Sequence, residues 1–191
     1  MEADWSTEVG SDLPEIVAPW DGFVDLRIAP ETVAVIEEAG EYQNLREALL
    51  ALNATNSPVF TSKCDVWLLD SDEIDPFELE SDKAAARTGI ACYIDALARD
   101  SQFFTNFDLH ELWARLLVEW LRPLAIRNGR ADVVIRGAAI NGAEGFAMTL
   151  YAAGCGFDAE SARAAWESVL RAAVTATMES ATSAASSLAA G

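Results

Sequence analysis

A chain of 191 residues that is 51% apolar, with six tryptophans and eight phenylalanines, can bury a core, which excludes general disorder. Its formal net charge of −18 at pH 7 opposes direct contact with nucleic acid and with anionic membrane surfaces. Cys64, Cys92 and Cys155 are widely spaced and form no C-x-x-C pair, which argues against a disulfide framework and against a zinc site.

Residues 1–19 are acidic, contain Pro14 and Pro19 and lack the hydrophobic region of a secretory signal, so a flexible acidic arm and a cytoplasmic location are expected. Trp20, Phe23, Val24, Leu26 and Ile28 suggest a short extended segment at a sheet edge. Pro30 suits the first position of a helix, and Glu31 suits the positive end of its dipole. Val33, Ile36, Leu45, Leu49 and Leu52 continue a helical stripe to about Asn53, with Gly40 as a weak point that allows two helices. Val59 to Leu69 reads as a strand, because Cys64, Val66 and Leu68 alternate with Asp65, Trp67 and Leu69.

Asp70 to Asp82 follows, with seven acids, no base, and Pro76 to hold it out of a strand. Ser81 or Asp82 is expected to cap a helix reaching about Arg99, since Ala86, Ile90, Tyr93 and Leu97 fall at helical spacing. A central helix is expected from about Phe107 to Arg122, where Leu109, Trp113, Leu116, Leu117, Trp120 and Leu121 form a broad apolar face. Pro123 ends it, and Asn128-Gly129 turns the chain.

Ala131 to Gly156 reads as a hairpin. Val133, Val134 and Ile135 are β-branched, and Asn141-Gly142 tolerates the positive φ of a tight turn. In the second strand Phe146, Met148 and Leu150 share one face, and Ala147, Thr149 and Tyr151 the other. Asp158 is placed to cap a last helix, Ala159 to about Glu179, with residues 181–191 as a disordered tail. The expected fold is α+β: one domain over 20–180, with a three- to four-stranded antiparallel or mixed sheet and about four helices mainly on one face.

Catalytic signatures are weak. The only histidine, His110, lies in HELWAR, where Arg115 stands roughly where a metal site needs a second histidine. Cys155 sits between two glycines at a strand-to-helix turn, where a helix N-terminus lowers a thiol pKa, but G-x-[SC]-x-G is not matched. The acidic stretch departs from the calcium-loop pattern at Ile74 and Pro76, so no metal and no cofactor are expected. Arg115, Arg122, Arg127, Arg130 and Arg136 form the one basic concentration. They are expected to pair with acids elsewhere, or else to build an anion pocket with Tyr151 near Cys155, the enzyme or small-ligand alternative.

The charge distribution points further. Residues 1–82 hold 20 acids against Arg27, Arg46 and Lys63, and the remaining residues are nearly neutral. This asymmetry favours a non-enzymatic interaction protein of inhibitor or adaptor type, with aligned carboxylates able to imitate nucleic-acid phosphates toward a basic protein partner. The expected contact residues are Asp70, Asp72, Glu73, Asp75, Glu78 and Glu80, with Trp67 and Phe77 as apolar anchors and Trp5 and Trp20 as further candidates.

Overall fold

The computed structural model describes residues 1–84 and 86–188. It is an α+β fold with one mixed six-stranded sheet. The strands are β1 (Glu2–Glu8), β2 (Ile16–Ala18), β3 (Val59–Leu69), β4 (Thr88–Ala98), β5 (Gly129–Ile140) and β6 (Ala143–Gly156). The lateral order is β1-β5-β6-β4-β3, and β2 continues beyond β1 along β5. β1 and β2 run parallel to β5; the other pairings are antiparallel.

The helices are α1 (Glu37–Glu41), α2 (Gln43–Asn53), α3 (Ser101–Phe104), α4 (Phe107–Leu121) and α5 (Ala159–Leu188), with a 3₁₀ turn at Pro30–Val35. The long helices cover one sheet face. Trp166 of α5 is fully buried there, donates its indole N–H to the Cys92 sulfur at 3.3 Å and meets the Tyr42 ring edge-on. Trp113 of α4, equally buried, donates to the Thr177 carbonyl and ties α4 to α5. Asn106 caps α4 by accepting the Leu109 N–H, and Asp158 caps α5 by accepting the Ser161 N–H. Among the described residues no helix is long and apolar enough to cross a membrane.

Several expectations are corrected. Among the described residues the sheet has six strands rather than three or four, and there are five α-helices rather than about four. The acidic arm expected over residues 1–19 holds β1 and β2. Its charge masks an alternation in which Ala3, Trp5 and Thr7 face the helical layer while Glu2, Asp4, Ser6 and Glu8 point the other way. Residues 20–28 form turns rather than a strand. Residues 88–98, expected as helix, form β4. That strand is central and buried on both faces, so its apolar run carries no two-residue period and satisfies a helical template by accident. The expected tail is helical through Leu188, and the rest of it lies outside the described residues.

The β5–β6 hairpin forms as expected, with Asn141 and Gly142 at φ of 50° and 84°. Both sheet edges are blunted. The Asp65 carboxylate accepts the Val66 N–H in β3, and the Asp4 carboxylate accepts the Trp5 N–H in β1. Each takes a backbone donor that a foreign strand would need.

Candidate binding face of the sheet

The side chains opposite the helices make a second, polar face. Strand register places Asp65, Tyr93, Tyr151 and Asp132 in one row across β3, β4, β6 and β5, with Trp67, Ala91, Ala153 and Arg130 in the next. The rings of Trp67 and Tyr93 stand 6.4 Å apart, and those of Tyr93 and Tyr151 6.2 Å apart, all tilted. Deeper in this face Thr149 donates to the buried Asp95 carboxylate at 2.6 Å. Burial pushes the Asp95 pKa up, and the Thr149 hydrogen bond only partly offsets it.

The acidic stretch that follows β3 folds back over this face as an ordered loop. Ile74, Leu79 and Ala86 are buried and pack with Cys155, Leu69 and Ala153. Local bonds hold its shape: Asp70 N–H donates to Glu73 Oε2, Phe77 N–H to Asp75 Oδ1, and Ser81 N–H to the Pro76 carbonyl. Because the apolar side chains point inward, Asp70, Asp72, Glu73, Asp75, Glu78 and Glu80 are all exposed, and Phe77 is 89% exposed. Glu78 lies 3.6 Å from Arg130, and Glu80 lies 3.5 Å from the Met1 amino nitrogen. Among the described residues Asp70, Asp72, Glu73 and Asp75 form no ion pair.

The five arginines do not converge on one pocket. Arg115 faces Glu111 along α4, and Arg122 reaches the Ala3 carbonyl and Asp4. Only Arg130 and Arg136 lie on the polar sheet face, and both are engaged. Asp132 grips Arg130 through two bonds of 2.6 and 2.8 Å, which raises the arginine pKa further. Arg136 pairs with Glu8 at 2.8 Å and donates to the Tyr151 hydroxyl at 3.2 Å, leaving its Nε buried without a partner.

Cys155 and His110 lie on opposite faces of the sheet. Cys155 is fully buried beneath the acidic loop rather than presented to the α5 N-terminus, and burial raises its pKa despite a hydrogen bond from Ser81. Burial pushes Cys64 and Cys92 up to about 12. All three thiols are therefore protonated at neutral pH. In a Cys64→Ala/Cys92→Ala background a thiol probe is expected to label Cys155 in the native protein at least ~100-fold more slowly than in the denatured chain, because the buried thiol is reached only through local opening. Fast labelling of Cys155 in a Cys64→Ala/Cys92→Ala background at neutral pH would show an activated thiolate instead.

His110 is fully buried in α4, with the rings of Phe103, Trp113 and Phe146 centred 5.1 to 5.8 Å away. Its Nδ1–H donates to the Asn106 carbonyl at 2.9 Å. Its Nε2 lacks a well-formed partner, and the Phe146 backbone biases the ring only slightly toward protonation. Burial dominates and lowers the pKa to about 4. Among the described residues no group of three or more His, Cys, Asp or Glu is placed to hold a metal ion.

The groove between the loop and the sheet is the feature that sequence reading missed. It measures about 430 Å³ and is lined by Trp67, Tyr151, Glu73, Asp75, Glu78 and Asp132, together with both engaged arginines and Glu8. It draws on β1, β3, β5, β6 and the loop, so no local sequence signal marks it. No family model, curated protein or solved structure matches the chain.

Proposed function

We propose that the protein is a non-enzymatic docking protein, of inhibitor or adaptor type, whose acidic loop and polar sheet face engage a basic protein partner. One observation carries the reading: Ile74 and Leu79 anchor the loop, which holds six carboxylates and the Phe77 ring outward in a fixed arrangement. A solubilising coat needs charge but no such anchoring. Prearranged charge lowers the ordering cost of association and steers a cationic partner by long-range attraction.

The acids of β1 strengthen the same face, because Glu2, Asp4 and Glu8 share the side of the sheet over which the loop folds. Glu37, Glu38, Glu41 and Glu47 lie on α1 and α2 and stand outside this surface. Within it a row of fixed carboxylates offers a basic protein what a phosphate backbone offers, so a nucleic-acid-binding protein is one class of partner.

The reading is tested by a pull-down from the native host at low and then high salt. The comparison protein carries Asp→Asn and Glu→Gln substitutions at the six loop positions. Basic proteins are expected to be retained by the unsubstituted protein at low salt, released at high salt, and not retained by the variant. Equal retention on both proteins overturns the reading.

A further inference from the structure

Beside the acidic loop the polar sheet face holds a groove, and its chemistry specifies an occupant. The groove beside the loop is lined by five carboxylates and two guanidiniums. Both guanidiniums are already neutralised, Arg130 by Asp132 and Glu78 and Arg136 by Glu8. The uncompensated charge left for a visitor is negative, so an anion is repelled and a cation is matched. The wall is aromatic: Trp67 lines the groove, 37% exposed, and heads the row that continues through Tyr93 to Tyr151. A tilted aromatic row bordered by carboxylates suits a flat cation, because the ring face attracts positive charge while the acids accept its hydrogens.

The same pairing of cation and ring recurs within this chain. Arg27 lies 3.8 Å over the Phe60 ring while Asp25 holds its fork at 2.6 and 2.7 Å. The groove offers a ring and carboxylates of this kind, and among the described residues no guanidinium lies over Trp67.

The geometry points to a recognition mode that rests on the docking reading above. An arginine side chain from an extended basic segment of the partner enters the groove, with its guanidinium stacked on Trp67 and paired with Glu73, Asp75 and Glu78. Arginine fits better than lysine because its planar fork stacks and accepts two carboxylates at once, whereas an ammonium is a strongly hydrated point charge. A peptide fits better than a small polyamine because the groove is open and flanked by apolar surface. Leu69 lines the groove on the same face as Trp67, and Phe77 projects from the loop. Those side chains give the residues around the arginine something to cover.

The test is a titration of the full chain, followed by amide chemical shifts, with a peptide of alternating glycine and arginine at low salt. Its lysine counterpart and spermidine serve as comparisons. The arginine peptide is expected to shift the amides of Trp67, Tyr93 and Tyr151. Its affinity is expected to fall at least ~10-fold in Trp67→Leu and in the triple variant Glu73→Gln/Asp75→Asn/Glu78→Gln. A control with the same charge change on other surfaces, Glu119→Gln/Glu144→Gln/Glu179→Gln, is expected to bind as the unsubstituted protein does. The lysine peptide is expected to bind several-fold more weakly.

Binding with shifts confined to the loop around Phe77, and with no loss in Trp67→Leu, overturns the groove assignment while leaving the docking reading intact. Spermidine binding as tightly as the peptide overturns the peptide as occupant. No binding of either peptide at low salt overturns both this assignment and the docking reading.

Discussion

Replacing Gly154 with alanine is expected to destabilise the protein by about 3 kcal/mol or more, the upper end of the usual range for overpacking a core. Gly154 lies on β6 directly beneath α5. A Cβ there would stand 2.6 Å from the Trp166 Cα and 2.8 Å from the Ala165 carbonyl carbon. These are backbone atoms, so no rotamer change relieves the clash and the helix must lift from the sheet. Lifting α5 withdraws Trp166 from Cys92 and Tyr42 and loosens Val169, Leu170 and Ala173 at the same contact. In a domain of this size the loss corresponds to a melting-temperature drop of ~6–12 °C, read by calorimetry. Gly142→Ala gives the contrasting case. Nothing lies within 4 Å of the added carbon, so only the cost of its positive φ, about 1 kcal/mol, is expected. A Gly154→Ala protein as stable as the parent would mean that α5 does not rest on β6 through this glycine.

The second large effect is acid destabilisation through His110. Its folded-state pKa of about 4 lies below the ordinary 6.5 because burial among aromatic rings disfavours the imidazolium. A depressed pKa means that the unfolded chain binds the proton first. The stabilisation is complete above pH 6.5 and is lost as pH falls toward 4, at about 1.4 kcal/mol per pH unit, for a total of about 3 kcal/mol. His110→Gln stays neutral throughout and can donate to the Asn106 carbonyl in place of Nδ1. Urea denaturation between pH 7.5 and 4 should therefore show the parent losing about 3 kcal/mol more than the variant. Carboxylates contribute to both proteins and cancel in that difference, including Asp95, whose raised pKa acts in the opposite direction. Parallel stability curves for the two proteins would contradict a buried, neutral His110.

How far the fold was legible depended on whether an element has one wet face. β3 and α4 each border solvent on one side, so their apolar residues fall into the period of two or of 3.6 that sequence reading can detect. β4 has no wet face, and Ile90, Tyr93 and Leu97 then mimic a helical stripe. β1 was hidden by composition: its Glu, Asp and Ser positions suggest an arm, although Ala3 and Trp5 between them complete an alternation.

The same rule bears on the candidate residues. Thr149 and Tyr151 share the face away from the helices, and strand parity carries Cys155 to that face too, away from the helix dipole that would have activated it. The exposure of the acidic loop was legible from its charge and Pro76. Its anchoring was not, because Ile74 and Leu79 find their partners only once β3, β4 and β6 are in register. The groove depends on the same register. Sequence spacing cannot place Trp67 of β3 near Arg130 and Asp132 of β5 across two intervening strands.

The most direct measurement is the association rate of a retained basic partner at increasing ionic strength, for the parent protein and for the variant neutralised at the six loop positions. If the anchored carboxylates form the contact surface, the parent's rate falls at least ~10-fold with added salt, and the variant starts slow and changes little. Equal rates and equal salt dependence for the two proteins would show that the loop serves only to keep the molecule hydrated.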